Sequence, residues 1–238
     1  MQSSNNGTLF HYRSFLTYHI DRKFEDHSLI FEKKGKIIAL LSAAEMLDGT
    51  QKILHSHPGA TFGSLVYNQI LSFKDAMDIG ELIKDYSNEN EFNLILITMP
   101  PLIYSIMPSD YFEFSLLKIG AINEKSEMSS VVNLNLPFHV VKANIKSSHR
   151  QAERKAERLG LVIKESTDFE EFYLILEKNL ELRHDVSPTH SLKELQKLVK
   201  LFPDKIILHT ANLNEKVIAG IVNFVCNDNT VLAFYICH

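Results

Sequence analysis

The sequence predicts an α+β fold of two similar modules, each a mostly antiparallel sheet flanked by helices. Lys36-Ile37-Ile38-Ala39 recurs as Lys216-Val217-Ile218-Ala219, 180 positions later. The order of helix end, strand, tight turn, long strand, hairpin and strand is the same around both copies, and periodic helices with capping signals precede the second copy. Self-similarity at a fixed offset indicates duplication. We therefore predict a first module over 1–140 and a second over 141–238.

In the first half, the strongest local signal is Asp48-Gly49, a dipeptide typical of hairpin turns. It separates predicted strands over 37–47 and 52–57, and a shorter strand over 28–31 precedes them. Ser72 and the apolar periodicity after it predict a helix that ends near Asn88. The remaining predictions for this half are a strand over 92–98 ended by Pro100-Pro101, a helix over 111–117 and a strand over 131–136.

In the second half, three helix starts carry capping-box patterns. They are Ser148 with Gln151, Asp168 with Glu171, and Ser191 with Glu194. Gly160 is the expected stop of the first helix, and Pro203 that of the third. The helix after Asp168 has apolar residues at spacings of three, four, three and four, which is strong amphipathic evidence. The predicted strands of this half are 161–164, 206–210, 217–226 and 230–237.

The bulk composition is that of a globular protein in a reducing compartment. Its 238 residues carry a net charge of −4, so no global basic field attracts nucleic acid or anionic lipid. No apolar run approaches the roughly 18 residues of a membrane span, and the N-terminus lacks signal-peptide features. Cys226 and Cys237 flank a turn asymmetrically, so no disulfide is expected between them. These features predict a cytoplasmic protein.

Several reaction classes are excluded by missing motifs. There is no G-x-S-x-G elbow, no P-loop, no C-x-x-C and no H-E-x-x-H in the sequence. The chain has no tryptophan and no basic stretch interleaved with aromatic residues, so a base-stacking surface is not predicted. DNA is therefore not an expected partner.

Three local strings and the element order carry a resemblance to a known family. They are Asn6–His11, Gly59–Ser64, and Arg183-His184 followed by Pro188-Thr189-His190. Two helices, a three-strand meander and a loop entering a helix resemble the GNAT acyltransferases, and the tandem pair resembles their FemAB-like branch. Compared with that family, both modules are expected to be truncated. The first lacks its opening strand and helix, and the second ends after its third meander strand.

The resemblance implies transfer of an acyl group from acyl-CoA to an amine or hydroxyl acceptor such as a cell-envelope precursor. Aminoacyl-tRNA, the donor of the Fem-type enzymes, is an alternative. In this family a loop of Arg or Gln, two residues, Gly, any residue, and Gly or Ala holds the CoA phosphates. No such string occurs here. A non-catalytic binding module is therefore a second alternative.

The 58–64 segment is the first candidate binding site. Its glycines permit positive φ and close approach of a ligand to the backbone, and the family's ligands lie after the corresponding strand. An ordinary tight connection is the alternative interpretation. The candidate ligand-binding residues of this segment are Gly59, Thr61, Phe62, Gly63 and Ser64.

Four residues are candidate catalytic groups. Glu45 shares a strand face with apolar residues, which raises a carboxyl pKa and suits a general base. His57 is a second candidate base, because imidazole titrates near neutral pH. It lies two positions from His55, but no third ligand is apparent nearby, so no metal is predicted. Tyr67 and Tyr235 are candidate proton donors to a leaving thiolate, with core tyrosines as the alternative.

Two groups of basic residues complete the prediction. Arg183, His184 and His190 flank a loop between two helices, which in GNAT proteins shapes the acceptor pocket. The alternative is that they complement the helix dipole. Arg150 and Arg154 begin a stripe, continued by Arg158, that could grip a phosphate group or tRNA backbone. Because glutamates share this helix, a solvated connector is the alternative interpretation.

Overall fold

A computed structural model describes residues 4–68 and 71–238, and the α+β prediction is confirmed. The chain forms two compact units, and each unit consists of three segments of the chain. No helix in the described ranges is long and apolar enough to cross a lipid bilayer. The first unit comprises Met1–Glu124, Lys200–Lys205 and Val225–Leu232, and the second comprises Lys125–Val199, Ile206–Phe224 and Ala233–His238.

The first unit contains three α-helices and seven strands among its described residues. Two short 3-10 helices, Leu9–His11 and Leu102–Tyr104, lie before α1 and before α3. The helices are α1 (Arg13–Leu16), α2 (Phe73–Glu89) and α3 (Tyr111–Lys118). The strands are β1 (Glu25–Asp26), β2 (Leu29–Lys33), β3 (Lys36–Leu41), β4 (Ala44–Asp48), β5 (Gln51–His55), β6 (Leu65–Tyr67) and β7 (Leu94–Leu96).

A bent pair of strands organises this unit. One sheet has the order β2-β3-β6 and the other β1-β4-β5-β7. Ser42 and Ala43 connect β3 to β4, which is why the predicted single strand over 37–47 is wrong. Strand β5 runs antiparallel to β4, with Ala44 opposite His55, and strand β6 runs antiparallel to β3, with Leu41 opposite Leu65. The connection from β5 to β6 therefore has nine residues, 56–64, and is here called the 56–64 loop, whereas the connection from β3 to β4 on the paired strands has only two residues.

Helix α2 packs on this framework through one face. Its N-cap is Ser72, whose side chain accepts a hydrogen bond from the Asp75 amide. The helix follows β6 and leads into β7, so that β6 and α2 both lie in the connection between the parallel strands β5 and β7. Phe73 and Leu82, which the sequence pattern also suggests for the buried face, are half exposed. The buried core includes Phe31, Ala39, Leu41, Ala43, Leu54, Leu65, Tyr67, Leu71, Ala76, Ile79, Ile83, Phe92, Phe112 and Leu116.

The second unit contains one four-stranded sheet with the order β11-β10-β9-β8. Strand β9 pairs antiparallel with both β8 and β10, and Phe172, Leu176, Leu195, Leu198, Leu208, Val222 and Phe224 are buried in this unit. Its helices are α4 (Phe138–Asn144), α5 (Ser147–Arg158), α6 (Phe169–His184) and α7 (Leu192–Leu201). Its strands are β8 (Val162–Ser166), β9 (Ile206–Leu213), β10 (Lys216–Val225) and β11 (Val231–Cys237).

Of the three predicted capping boxes, one forms in full and a second forms as a single N-cap hydrogen bond. The Asp168 side chain accepts from the Glu171 amide at 3.0 Å. Ser191 Oγ accepts from the Glu194 amide, and the Glu194 carboxylate accepts from the Ser191 amide. Ser148 does not cap α5. That helix begins one residue earlier, after Lys146, which makes no side-chain cap.

The two hairpins that carry the sequence repeat share their local geometry. Lys34-Gly35 and Asn214-Glu215, 180 positions apart, both have positive φ at each residue, as type I′ turns require. A register shift falls at Ile38 in one hairpin and at Ile218 in the other, again 180 positions apart. Beyond the hairpins the copies differ, because β3 and β4 divide between two sheets whereas β10 stays in one.

Two further strand predictions are corrected. Residues 131–136 form irregular chain and a turn, because they have no partner strand in the described ranges and their apolar side chains are exposed. The strand predicted to end at His57 ends at His55, and His57 adopts a left-handed conformation with φ 59°. Positive φ at a non-glycine residue breaks the strand.

Close packing at Gly220 gives a test of the second unit. A Cβ at this position would lie 2.6 Å from Phe172 Cδ2 and 2.9 Å from Cε2. Gly220→Ala should therefore lower the free energy of unfolding by about 1–3 kcal/mol, measured by urea denaturation. In a Phe172→Leu background the same change should cost less. An equal cost in both backgrounds would contradict the proposed clash.

Candidate functional site

A recess in the second unit is lined by one predicted site residue, Tyr235, which contacts a second, His190. Its volume is about 280 Å³. Helix α6, the loop that follows it and strand β11 each supply part of the wall. We call it the Tyr235 recess, and its lining residues are Leu176, Leu180, Val186, Ser187, Pro188, Thr189, Phe234, Tyr235 and Ile236.

Local sequence explains how the wall of the recess forms. Leu176 and Leu180 are four apart on α6 and so share a helix face. Asp185 ends that helix in a left-handed conformation (φ 52°, ψ 41°), which turns the chain into the loop. Leu176 is buried, whereas Ile236 is exposed. The recess therefore has an apolar floor and an open rim, as small-molecule sites commonly do.

The Tyr235 hydroxyl is a buried polar group in this wall. It lies 2.7 Å from His190 Nδ1 and accepts the backbone N–H of His190 at 3.0 Å. Both residues are buried. Burial raises the pKa of the Tyr235 phenol to about 12, so the hydroxyl keeps its proton at neutral pH. A protonated phenol can donate a proton to a basic leaving group.

His190 is itself held from several sides. The Tyr173 hydroxyl donates to the His190 carbonyl at 3.0 Å, and the capping box of α7 begins at the next residue. The Phe234 and Phe224 rings stack at 4.4 Å with an interplanar angle of 10°, and the His190 ring packs against both. These contacts fix the imidazole beside Tyr235.

Arg183 lies on the last turn of α6 and does not line the recess. Its Nη2 is 2.7 Å from His238 Nε2, and Asn179 donates to the His238 carbonyl at 2.6 Å. The backbone of His184 belongs to α6, but its side chain lies outside the described part of the structure. Of the predicted interhelical group, His190 is thus the member that contacts Tyr235.

The side chains of Arg150 and Arg154 donate hydrogen bonds to backbone carbonyls of nearby residues in the sequence. Arg150 Nη1 donates to the carbonyl of Ala143, in the last turn of α4, and to that of Ile145, just after the helix. Arg154 Nε donates to the Arg150 carbonyl at 3.2 Å. Arg150, with His139 and Lys142, lines an open surface basin of about 370 Å³.

In the first unit, the 56–64 loop joins two strands, which corrects the predicted junction between a strand and a helix. Gly63 is packed so closely that a Cβ there would lie 1.9 Å from the Ser56 carbonyl oxygen. The Phe62 ring packs against Phe10 and Tyr104 at 4.8 and 4.9 Å. Ser64 is buried, while Thr61 is exposed. Phe62 and Gly63 therefore serve the packing of the unit.

Two histidines that the sequence analysis did not select hold this loop. His11 Nε2 lies 2.9 Å from the Gly63 carbonyl, and His11 Nδ1 lies 2.9 Å from Thr8 Oγ1. His19 Nε2 lies 3.1 Å from the Gly59 carbonyl. No spacing or motif distinguishes these histidines, since their loop partners are more than 35 positions away in the sequence.

His57 is a buried residue of the 56–64 loop. Its ring packs edge-on against Phe24 at 5.3 Å, and Nδ1 accepts the Gly59 amide at 3.3 Å. Burial, and after it the charge of Arg13, lowers the pKa of His57 to about 4. Burial likewise lowers the pKa of His11 to about 4. Both imidazoles are therefore neutral at physiological pH.

Tyr67 and Glu45, the other two predicted catalytic residues, lie on strands of the first unit and not in the 56–64 loop. Tyr67 is on β6, opposite Ala39, and belongs to the buried core of the first unit. Glu45 on β4 is partly buried, with its Oε2 3.1 Å from Lys52 Nζ and 3.6 Å from His27 Nε2. Glu45 thus forms part of a charged cluster on the sheet.

The lowered pKa values of His11 and His57 predict acid sensitivity. In the unfolded chain each histidine binds a proton below about pH 6.5, whereas in the folded protein it does so only below about pH 4. The free energy of unfolding is therefore highest above about pH 6.5 and decreases as the pH falls from about 6.5 to about 4. Replacing His11 by Gln removes one titrating group. We expect the loss of unfolding free energy between about pH 7 and 4.5 to shrink by about 2–3 kcal/mol.

The control for this measurement is His149→Gln, because His149 is exposed on α5. It should leave the pH dependence of the unfolding free energy unchanged. An acid slope for His11→Gln equal to that of the unsubstituted protein would show that His11 is not the neutral buried group described.

The hydroxyl of Tyr235 also has a structural contribution that can be measured. Tyr235→Phe removes the acceptor of the buried His190 N–H, so it should lower the free energy of unfolding by about 1–3 kcal/mol. Tyr173→Phe removes a single bond to a carbonyl and should cost about 1 kcal/mol. Chemical denaturation of the two variants measures both losses. Equal losses of unfolding free energy would contradict a larger structural contribution of the Tyr235 hydroxyl than of the Tyr173 hydroxyl.

Comparison with known proteins provides no family assignment. No protein-family model matches the sequence, and a search of curated proteins finds none that is significantly similar. A crystal structure of the wild-type protein TTHA1254 from Thermus thermophilus matches 45% of this chain and 71% of its own, at 12% identity and a TM-score of 0.31. So low a score supports no inference about function.

Proposed function

We propose that the chain is an acyltransferase that moves an acyl group from acyl-CoA to an amine or hydroxyl acceptor at the Tyr235 recess. The observation that carries the proposal is the buried Tyr235 hydroxyl, protonated at neutral pH, on a residue that lines a recess with both apolar and polar side chains. An apolar floor suits an acyl chain, and the hydroxyl suits a leaving thiolate that needs a proton.

The element order of the second unit supports this proposal. Strand β8, helices α6 and α7, and strands β9, β10 and β11 follow one another, and the four strands form one sheet in sequence order. The GNAT acyltransferases that the sequence resembles share this order. In that family the loop between the two helices shapes the acceptor pocket. Here the corresponding loop includes Val186–Thr189.

In the proposed reaction, the acceptor nitrogen or oxygen attacks the thioester carbonyl carbon, and the carbon–sulfur bond then breaks. The departing thiolate takes the Tyr235 proton, and the acceptor releases its own proton to solvent. The His190 backbone N–H stabilises the phenolate until solvent returns a proton to it. Holding both reactants in the recess supplies the effective concentration that lowers the barrier.

The donor is proposed to be acyl-CoA rather than aminoacyl-tRNA. One nitrogen of each guanidinium that a tRNA backbone would require, Arg150 Nη1 and Arg154 Nε, already donates to a backbone carbonyl. The overall charge of −4 also disfavours a polyanion. A cell-envelope precursor remains the acceptor class that the resemblance implies.

One observation favours a second candidate function, a binding module without catalysis. Phosphate groups bind at helix N-termini with free amides. At the N-terminus of α2, Ser72 Oγ already accepts the Asp75 amide, and the Asp75 carboxylate pairs with Lys33. A carboxylate in the first turn repels a phosphate, so the first unit lacks the expected CoA-binding terminus.

Enzyme assays separate catalysis from binding. The full chain is incubated with acetyl-CoA or longer acyl-CoA and a panel of amines and alcohols, and released thiol is measured. Tyr235→Phe should lower kcat by about 100-fold or more, because it removes the general acid. Tyr173→Phe should retain near-normal kcat. Turnover by Tyr235→Phe at the unsubstituted rate would refute the assigned role.

A recess-filling variant tests where the ligand binds. Leu180→Trp places a large ring in the recess, whereas Leu174→Trp places the same ring on an exposed position of α6. Acyl-CoA at about 100 times its Kd should stabilise the protein by about 2.7 kcal/mol. The thermal shift should vanish in Leu180→Trp and persist in Leu174→Trp. Binding without thiol release would favour the binding module.

A further inference from the structure

The first unit carries a cluster of charged residues that the proposed acyl transfer does not use. Glu25 on β1 and Glu45 on β4 are direct partners across an antiparallel pair. Carboxylates in this arrangement repel each other. The fold therefore brings two negative charges together on the sheet, where a cation would relieve their repulsion.

His27 extends this cluster on the same sheet face. Its amide donates to the Ala43 carbonyl at 2.9 Å, so the strand pairing continues one residue past β1. Residues two apart on a strand point to the same face, which places His27 beside Glu25. Ligand atoms of Glu25, His27 and Glu45 all lie within 4.8 Å of one another.

The orientation of the His27 ring leaves one nitrogen directed at the carboxylates. Nδ1 lies 2.8 Å from the Tyr86 hydroxyl. Nε2 is buried without a hydrogen-bond partner and lies 3.6 Å from Glu45 Oε2. The Phe92 ring packs edge-on against the imidazole at 5.0 Å. A histidine fixed through one nitrogen, with the other directed at acidic groups, has the arrangement of a metal ligand.

Lys52 gives the cluster only part of the positive charge that it needs. Its Nζ lies 3.1 Å from Glu45 Oε2, donates to the Asn90 carbonyl at 3.1 Å and lies 4.6 Å from the centre of the Phe92 ring. This ammonium pairs with the Glu45 carboxylate, the second carboxylate of the cluster being that of Glu25. The contacts with Asn90 and Phe92 can hold Lys52 while the Glu45 carboxylate turns to another cation.

We infer that Glu25, His27 and Glu45 form a binding site for a divalent metal ion of the zinc class. One imidazole and two carboxylates suit such ions, and three protein ligands leave a position open to water or a small ligand. Tyr86 orients the histidine from the second layer. Exposure of Glu25 places the open position at the surface.

Binding requires a small contraction of the cluster. Ligand atoms around tetrahedral zinc lie about 3.3 Å apart, close to the 3.6 Å between His27 Nε2 and Glu45 Oε2. The exposed Glu25 side chain supplies the remaining movement by rotation about its own bonds. The backbone of β1 and β4 keeps its register during this change.

Metal titration of the full chain tests the inference. After treatment with a chelator, the protein is titrated with Zn²⁺ by calorimetry and with Co²⁺ by visible absorption. We expect one bound ion and a Co²⁺ spectrum of low coordination number. Glu25→Gln and His27→Gln should each weaken Zn²⁺ binding by more than about 10-fold, and Tyr86→Phe by about 10-fold.

Two variants complete the design. Lys52→Met should tighten Zn²⁺ binding, because it removes the competing ammonium. His149→Gln, at an exposed histidine of α5, should leave the affinity unchanged. Absence of Zn²⁺ binding, or equal affinity in Glu25→Gln and the unsubstituted protein, would overturn the inference. Glu25 is exposed, so this variant is expected to fold, and circular dichroism verifies that it does.

Discussion

A buried phenol must keep its hydroxyl hydrogen-bonded, and this constraint holds the candidate site together. Tyr235 meets it by accepting the His190 N–H and contacting the His190 ring. Because an unsatisfied buried hydroxyl is costly, the loop after α6 is tied to strand β11. The recess exists between these tied elements. The same bonds keep the Tyr235 hydroxyl in place, and burial leaves it protonated at neutral pH.

The first unit satisfies buried backbone groups with two histidine side chains. Nine residues of the 56–64 loop must be accommodated opposite the two-residue bend between β3 and β4. His11 and His19 bind carbonyl groups of Gly63 and Gly59, which satisfies backbone acceptors that have no strand partner. The glycines predicted to admit a ligand here admit neighbouring protein atoms instead. Their small size is a packing requirement.

The sequence patterns succeeded where the governing interaction is local. Both type I′ turns, the Asp168 cap and the Ser191–Glu194 box depend on residues no more than three positions apart. The failures share the opposite property. Whether 131–136 forms a strand depends on a partner elsewhere in the chain, and the length of the 37–47 strand depends on which neighbours pair with each half.

By itself, the sequence determined the α+β class, most helix bounds and the matching hairpins, because these follow from periodicity, capping and turn chemistry. It also selected Tyr235 and His190 separately as candidates. Only the tertiary structure decided that these two residues meet, that Tyr67 belongs to the core, and that Glu45 joins Glu25 and His27. Such contacts form between residues far apart in the chain, and no local pattern encodes the strand register that creates them.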